Sequence, residues 1–173
     1  MQLAYTMAPG RGDTDLLLFR LAKALTKAGV RTAGTVQINS ESPSGGPCDM
    51  DVQVLPDGQV FRISQSLGTG SRGCRLDPTA LESAVGYVQK ALDVGADCLI
   101  INKFGKQEAD GRGFRPVIAE ALTRGIPVLV GVNALNLSAF NYFAGGLAQD
   151  LRPELTALEA WAHRSLEIKC EAA

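Results

Sequence analysis

Ala96-Asp97-Cys98-Leu99-Ile100-Ile101 and Ile126-Pro127-Val128-Leu129-Val130-Gly131-Val132 are two short, almost wholly apolar runs, and what lies between them decides the fold. Apolar runs of this length, without polar alternation, belong to strands buried on both faces of a parallel sheet. Phe114 to Thr123 supplies a helix between them, closed by Arg124-Gly125. The unit from Ala96 to Val132 is therefore β-α-β, with its helix crossing one face of the sheet.

The same alternation extends toward both ends. Leu3-Ala4-Tyr5 opens a strand that stops at the turn-rich Ala8-Pro9-Gly10-Arg11-Gly12. Asp13 is then the expected helix cap, with Leu17, Leu21, Leu25 and Ala28 on one face and Gly29 at the end. Val30 to Ile38 is a second strand, and Asn39 to Pro47 is an exposed loop, mobile from Ser40 to Gly46. Asp49 to Leu55 and Gln59 to Ser64 flank Pro56-Asp57-Gly58, a strong hairpin signal. Asp77-Pro78 starts a helix that Gly95 ends. From Leu137 onward the chain is expected to be helical, interrupted at Gly145-Gly146 and Arg152-Pro153. These elements predict a three-layer α/β fold, mostly parallel, in one domain spanning 1–173, with 47–64 as an inserted hairpin.

Composition excludes several functions. The chain has 173 residues, 46% hydrophobic and 20% charged, with a formal net charge of -1. A core of adequate size follows, and no global positive field exists to collect nucleic acid or anionic lipid. The longest apolar runs are too short to cross a bilayer, which predicts a soluble cytoplasmic protein without nucleic-acid or membrane partners. The four cysteines stand singly and His163 is the one histidine, so zinc-finger and thioredoxin-type motifs are disfavoured and free thiols are expected.

The chemistry is expected beyond the carboxyl ends of the inner strands, where parallel sheets open their ligand crevices. Gly10, Arg11, Gly12 and Thr14 stand between the first strand and its helix, the setting of a phosphate-binding loop. A plain helix-capping turn is the alternative. Asp13 occupies the place of the lysine that a Walker loop requires, so the motif is degenerate. After Ile101 comes the densest polar stretch of the chain, with Asn102, Lys103, Lys106, Glu108, Arg112 and Arg115 among three glycines. It is the second candidate for binding an anion, together with the first loop. Arg72 and Arg75, in and beside the loop Gly68 to Gly73, form a secondary anion candidate. Cys48, Met50 and Cys74 bracket the hairpin as an alternative soft-metal site or carrier; separate buried cysteines are the plainer reading.

Cys48-Asp49-Met50-Asp51, Phe61-Arg62-Ile63-Ser64-Gln65, Gly73-Cys74-Arg75-Leu76-Asp77, Asn102 to Glu108 and Phe143-Ala144-Gly145-Gly146-Leu147 together resemble the bacterial domain-of-unknown-function family 2478. Genes of that family often lie beside molybdate-transport and nitrogenase genes, so the resemblance implies a link to molybdenum metabolism. More remotely, the order of elements is similar to the small P-loop nucleoside-triphosphatases. Gly12 and Thr14 match their loop, and Gly105 and Glu108 match their second motif. Asp13 replaces the lysine, while Asn102 and Lys103 replace the paired acids. The resemblance thus implies a P-loop-like fold in a non-catalytic or weakly catalytic accessory protein. Its ligand would be an oxyanion such as molybdate, or a nucleotide; homo-oligomers or a molybdenum-system protein are the expected partners. The alternative is a magnesium-dependent hydrolase using Lys103 or Lys106 as a displaced lysine and Glu108 to position water.

Overall fold

The computed structural model describes residues 2–40, 49–65 and 75–171. In chain order the elements are β1 (Leu3–Thr6), α1 (Asp13–Lys27), β2 (Thr32–Ser40), β3 (Asp49–Val54), β4 (Val60–Arg62) and α2 (Pro78–Val94), then β5 (Cys98–Phe104), α3 (Lys106–Ala109) and α4 (Arg115–Thr123), and finally β6 (Val128–Val132), α5 (Leu137–Ala144), β7 (Gln149–Leu151) and α6 (Leu155–Glu171). One seven-stranded sheet runs β4-β3-β2-β5-β6-β1-β7. The strands from β2 to β7 in that order are parallel, β3 pairs antiparallel with β2, and β4 pairs antiparallel with β3.

The uniform apolarity of β5 and β6 has its cause in helices on both faces. Cys98 and Ile100 meet Leu18, Leu21 and Leu25 of α1 and Leu158 and Trp161 of α6 on one side. Leu99 and Ile101 meet Leu81, Val88 and Leu92 of α2 and Val117 and Ile118 of α4 on the other. Burying a side chain of this size contributes about 1.5–3 kcal/mol, so these two faces dominate the stability of the fold.

Several sequence expectations need correction. Gly12, not Asp13, is the cap of α1; Asp13 is its first residue, and no side chain caps the helix. β5 does not end at Ile101 but continues to Phe104, so Asn102 and Lys103 belong to the strand. A short helix, α3, occupies part of the stretch expected to be loop. The chain after Leu137 is not helical throughout, because Gln149–Leu151 pairs with β1 as an edge strand. The hairpin extends the sheet itself, since β3 pairs directly with β2. In α2, Asp77 caps with its carboxylate accepting from the N–H groups of Thr79 and Ala80 at 2.9 and 3.2 Å. The expected mobile loop, apart from Ser40 at the end of β2, lies outside the described residues, as do Cys48, Arg72 and Cys74. Cys98 is buried in the sheet.

Candidate functional site

The parallel strands deliver the loops after β1, β5 and β6 to one edge. Met7–Gly12 leaves β1 and turns into α1 through Gly12, whose φ of 85° is in the left-handed region that glycine adopts without strain. The Thr14 hydroxyl accepts from the Ala8 N–H at 2.9 Å, closing the loop across its neck. The Asp13 carboxylate folds back against the loop, so that a Cβ on Gly10 would overlap its Oδ2. Asp13 and Asp15 thus both lie in the first turn of α1, where their charges oppose the helix dipole's attraction for an added anion.

The missing cation arrives from another strand. Lys103, near the end of β5, lines the same cavity of about 520 Å³ as Gly10, Arg11, Gly12 and Thr14. Its Nζ lies 3.9 Å from Oδ1 of Asp15, a carboxylate that is itself buried. The β5–β6 register shifts between Asn102 and Phe104. Asn102 sits beneath the loop, 1% exposed, with neither Oδ1 nor Nδ2 hydrogen-bonded among the described residues. A Cβ on its neighbour Gly131 would stand 3.2 Å from the Asn102 Oδ1 and 3.1 Å from the Thr14 methyl carbon. Each unsatisfied buried polar group costs about 1–3 kcal/mol, so Asn102 is a reserve of unused hydrogen-bonding capacity directly behind the loop.

Glu108 organises the segment that follows. Its Oε2 accepts from the Gly105 N–H at 2.8 Å and its Oε1 from the Phe114 N–H at 3.0 Å, which ties the two ends of the segment together. Burial pushes the carboxyl above the ordinary carboxylate range, and the two amides oppose that rise. Gly113, at φ 59°, has no room for a Cβ, which would overlap the Glu108 Oε1. Gly113→Ala is therefore expected to lower stability by about 2 kcal/mol or more, from left-handed strain and displacement of a buried carboxylate. Thermal unfolding beside Gly111→Ala checks this, because Gly111 has positive φ but open space and so shows the backbone cost alone.

A second cavity, about 230 Å³, opens on the other side of Lys103 and receives Asn102, Lys106, Glu108, Arg75 and Met50. Arg112 is exposed and lines neither cavity. Arg115 lies over the Phe143 ring at 4.9 Å and lines neither cavity. Of the six polar residues after Ile101, Asn102, Lys103, Lys106 and Glu108 thus line this second cavity, Lys103 also lines the loop cavity, and Arg112 and Arg115 line neither. Sequence reasoning missed Asp15, Gln37, Asn133 and Asn136. The signal for the last two was present, since they follow an apolar run of sequence just as Asn102 does. The Asn133 Oδ1 accepts from both the backbone N–H and the side-chain amide of Asn136 at 3.0 Å.

Among the described residues no helix is long and apolar enough to cross a membrane, and no three His, Cys, Asp or Glu side chains group as metal ligands.

The chain belongs to the family described as "Protein of unknown function (DUF2478)", which it matches over residues 3–161. It is 40% identical over 149 residues to the Molybdenum import ATP-binding protein ModC 2 of Bradyrhizobium diazoefficiens. That alignment covers 86% of this chain and 17% of the larger protein. The fold resembles the solution structure of a human cancer-related nucleoside triphosphatase, with a TM-score of 0.60, 21% identity, and coverage of 99% of this chain and 97% of the other. The chain thus shares the α/β fold of that nucleoside triphosphatase.

Proposed function

We propose that this protein is an accessory that binds a nucleotide phosphate, or an oxyanion of that size such as molybdate, in the β1–α1 loop, with little or no hydrolysis. The observation that supports this reading is the entry of Lys103 into the loop cavity from β5. A lysine there supplies the positive charge that the loop itself has exchanged for Asp13. A charge-assisted hydrogen bond from it is worth about 1.5–3 kcal/mol. Hydrolysis makes a further demand, a carboxylate near the loop threonine to help hold magnesium. The carboxylate that lines the cavity beside Thr14, Asp15, has the Lys103 Nζ 3.9 Å from its Oδ1, and Asn102 near the end of β5 carries no charge.

The name of the Bradyrhizobium relative joins ATP binding to molybdenum import, and supports both nucleotide and molybdate as candidates. In this reading the protein works in the cytoplasm beside a component of molybdenum handling.

Thermal unfolding with ATP, GTP, molybdate, tungstate, sulfate or phosphate, paired with phosphate-release assays with and without magnesium, tests the proposal. A ligand that binds the folded state raises the melting temperature by mass action. The expected result is such a rise for a nucleotide or for molybdate, with phosphate release no faster than a blank. Magnesium-dependent turnover that Lys103→Met abolishes would establish the hydrolase reading, with Lys103 as the displaced lysine. No rise with any of the six would overturn the binding proposal.

A further inference from the structure

The cavity on the far side of Lys103 has a different chemistry from the loop cavity. Much of its wall is apolar: Val52 of β3, Ile63, Leu81 of α2 and Phe114 are at most 5% exposed, Met50 and Leu76 stand beside them, and Gln37, Asn102, Asn133 and Asn136 add an amide-bearing side. Its rim carries cations, Arg75 and Lys106, with Lys103 at the boundary. The one carboxylate among the described lining residues, Glu108, already has each oxygen engaged by a backbone N–H. Arg75 has Asp49 at 3.6 Å, whereas Lys106 forms no ion pair among the described residues. Positive charge therefore exceeds what the wall neutralises.

An apolar chamber with a cationic rim selects a ligand class. A bare oxyanion gains nothing from Val52, Ile63, Leu81 and Phe114, and loses its hydration against them. A neutral apolar molecule leaves the lysine unanswered. The volume, about 230 Å³, is below the range of about 300–1,000 Å³ usual for sites of drug-sized ligands. We propose that this cavity binds a compact organic acid, one ring or a short branched chain bearing a single anionic group, whose body lies against the hairpin wall and whose acid faces Lys106.

This site goes beyond the phosphate-loop reading and does not depend on it. The two cavities share Lys103 and Asn133, so their ligands would lie next to one another. The hairpin thereby has a functional reason for its place in the sheet: β3 provides a wall that the parallel strands alone would lack.

The test uses the full chain with three ring carboxylates, benzoate, nicotinate and orotate, their neutral counterparts benzamide, nicotinamide and uracil, and sulfate. Binding is measured by ¹⁵N–¹H chemical-shift titration. At least one carboxylate is expected to bind with Kd on the order of 1 mM or tighter, and at least about fivefold tighter than its neutral counterpart and than sulfate. Its shifts should centre on Val52, Leu81, Lys106 and Phe114. Lys106→Met should weaken it by about fivefold or more, and Leu81→Trp, which fills the chamber, should abolish it. Val52→Phe fills the chamber from the opposite wall, and provides a second probe should the Trp variant not fold. Neither Lys106→Met nor the filling variants should alter binding of the anion that raises the melting temperature at the loop. The proposal is overturned if no carboxylate binds, if neutral counterparts bind equally well, or if the shifts centre on Gly10 to Thr14.

Discussion

Lys103→Met is expected to weaken anion binding at the β1–α1 loop by about tenfold or more, because it removes at least one charge-assisted hydrogen bond worth about 1.5–3 kcal/mol. The loop has no lysine of its own, and Arg11 at its exposed tip is the other cation in that cavity. Methionine keeps the length and most of the apolar stem, so packing at the end of β5 should persist. Lys103→Arg serves as the companion: it restores charge with a different geometry and should recover part of the affinity. Calorimetric titration with the anion that raises the melting temperature gives the answer. Equal affinity in wild type and Lys103→Met would remove the lysine from the site and leave Arg11 as the remaining cation. A loss of stability is also expected, because the 3.9 Å pair with buried Asp15 is broken. Asp15 is buried and would keep its charge with one partner fewer, so the loss should exceed the roughly 1 kcal/mol of a fully exposed pair.

Glu108→Ala should produce the largest loss of stability. Two backbone donors, the N–H groups of Gly105 and Phe114, would lose their acceptor in a buried setting, at about 1–3 kcal/mol each. The expected total is about 3 kcal/mol, a fall in Tm of about 6–12 °C for a chain of this size. Differential scanning calorimetry measures it directly, and an unchanged Tm would mean that the segment from Gly105 to Phe114 is held by its apolar contacts alone. The same carboxyl gives a pH signature. Burial raises its folded pKa, so its contribution to stability is fully present below the unfolded value of about 4.3 and is lost as pH rises through the folded value. Glu108→Gln, although less stable than wild type at low pH, should lack that particular decline.

The parts of the fold set by local chemistry were legible in the sequence. Cys98 to Ile101 and Val128 to Val132 are apolar at every contact with the helix layers, and Asp77-Pro78 announces α2 by capping chemistry that any tripeptide displays. β7 was not legible, because Gln149–Leu151 is three residues long, buries only Leu151, and owes its conformation to pairing with β1. The direction of Lys103 was equally hidden, since it accompanies the register shift beside Phe104. Asp13 was expected as a cap by residue type, but the left-handed turn at Gly12 moved the helix start and sent the carboxylate back over Gly10. The second cavity draws Met50 and Val52 from the hairpin to the neighbourhood of Lys106 and Phe114, a juxtaposition that sequence spacing does not encode.

The place of β1 in the sheet also has a consequence for how the protein is made. Leu3–Thr6 leaves the ribosome before both of its neighbours in the sheet, Val128–Gly131 and Gln149–Leu151. Until those residues emerge, the strand that launches the phosphate-type loop has no hydrogen-bonding partner, whereas the β2–β3–β4 meander needs only nearby chain to assemble. Such long-range pairing closes late and slowly. In arrested nascent chains of increasing length, protease protection should therefore reach the hairpin before it reaches Leu3–Gly12, and ligand-dependent protection should first appear once β7 has cleared the exit tunnel.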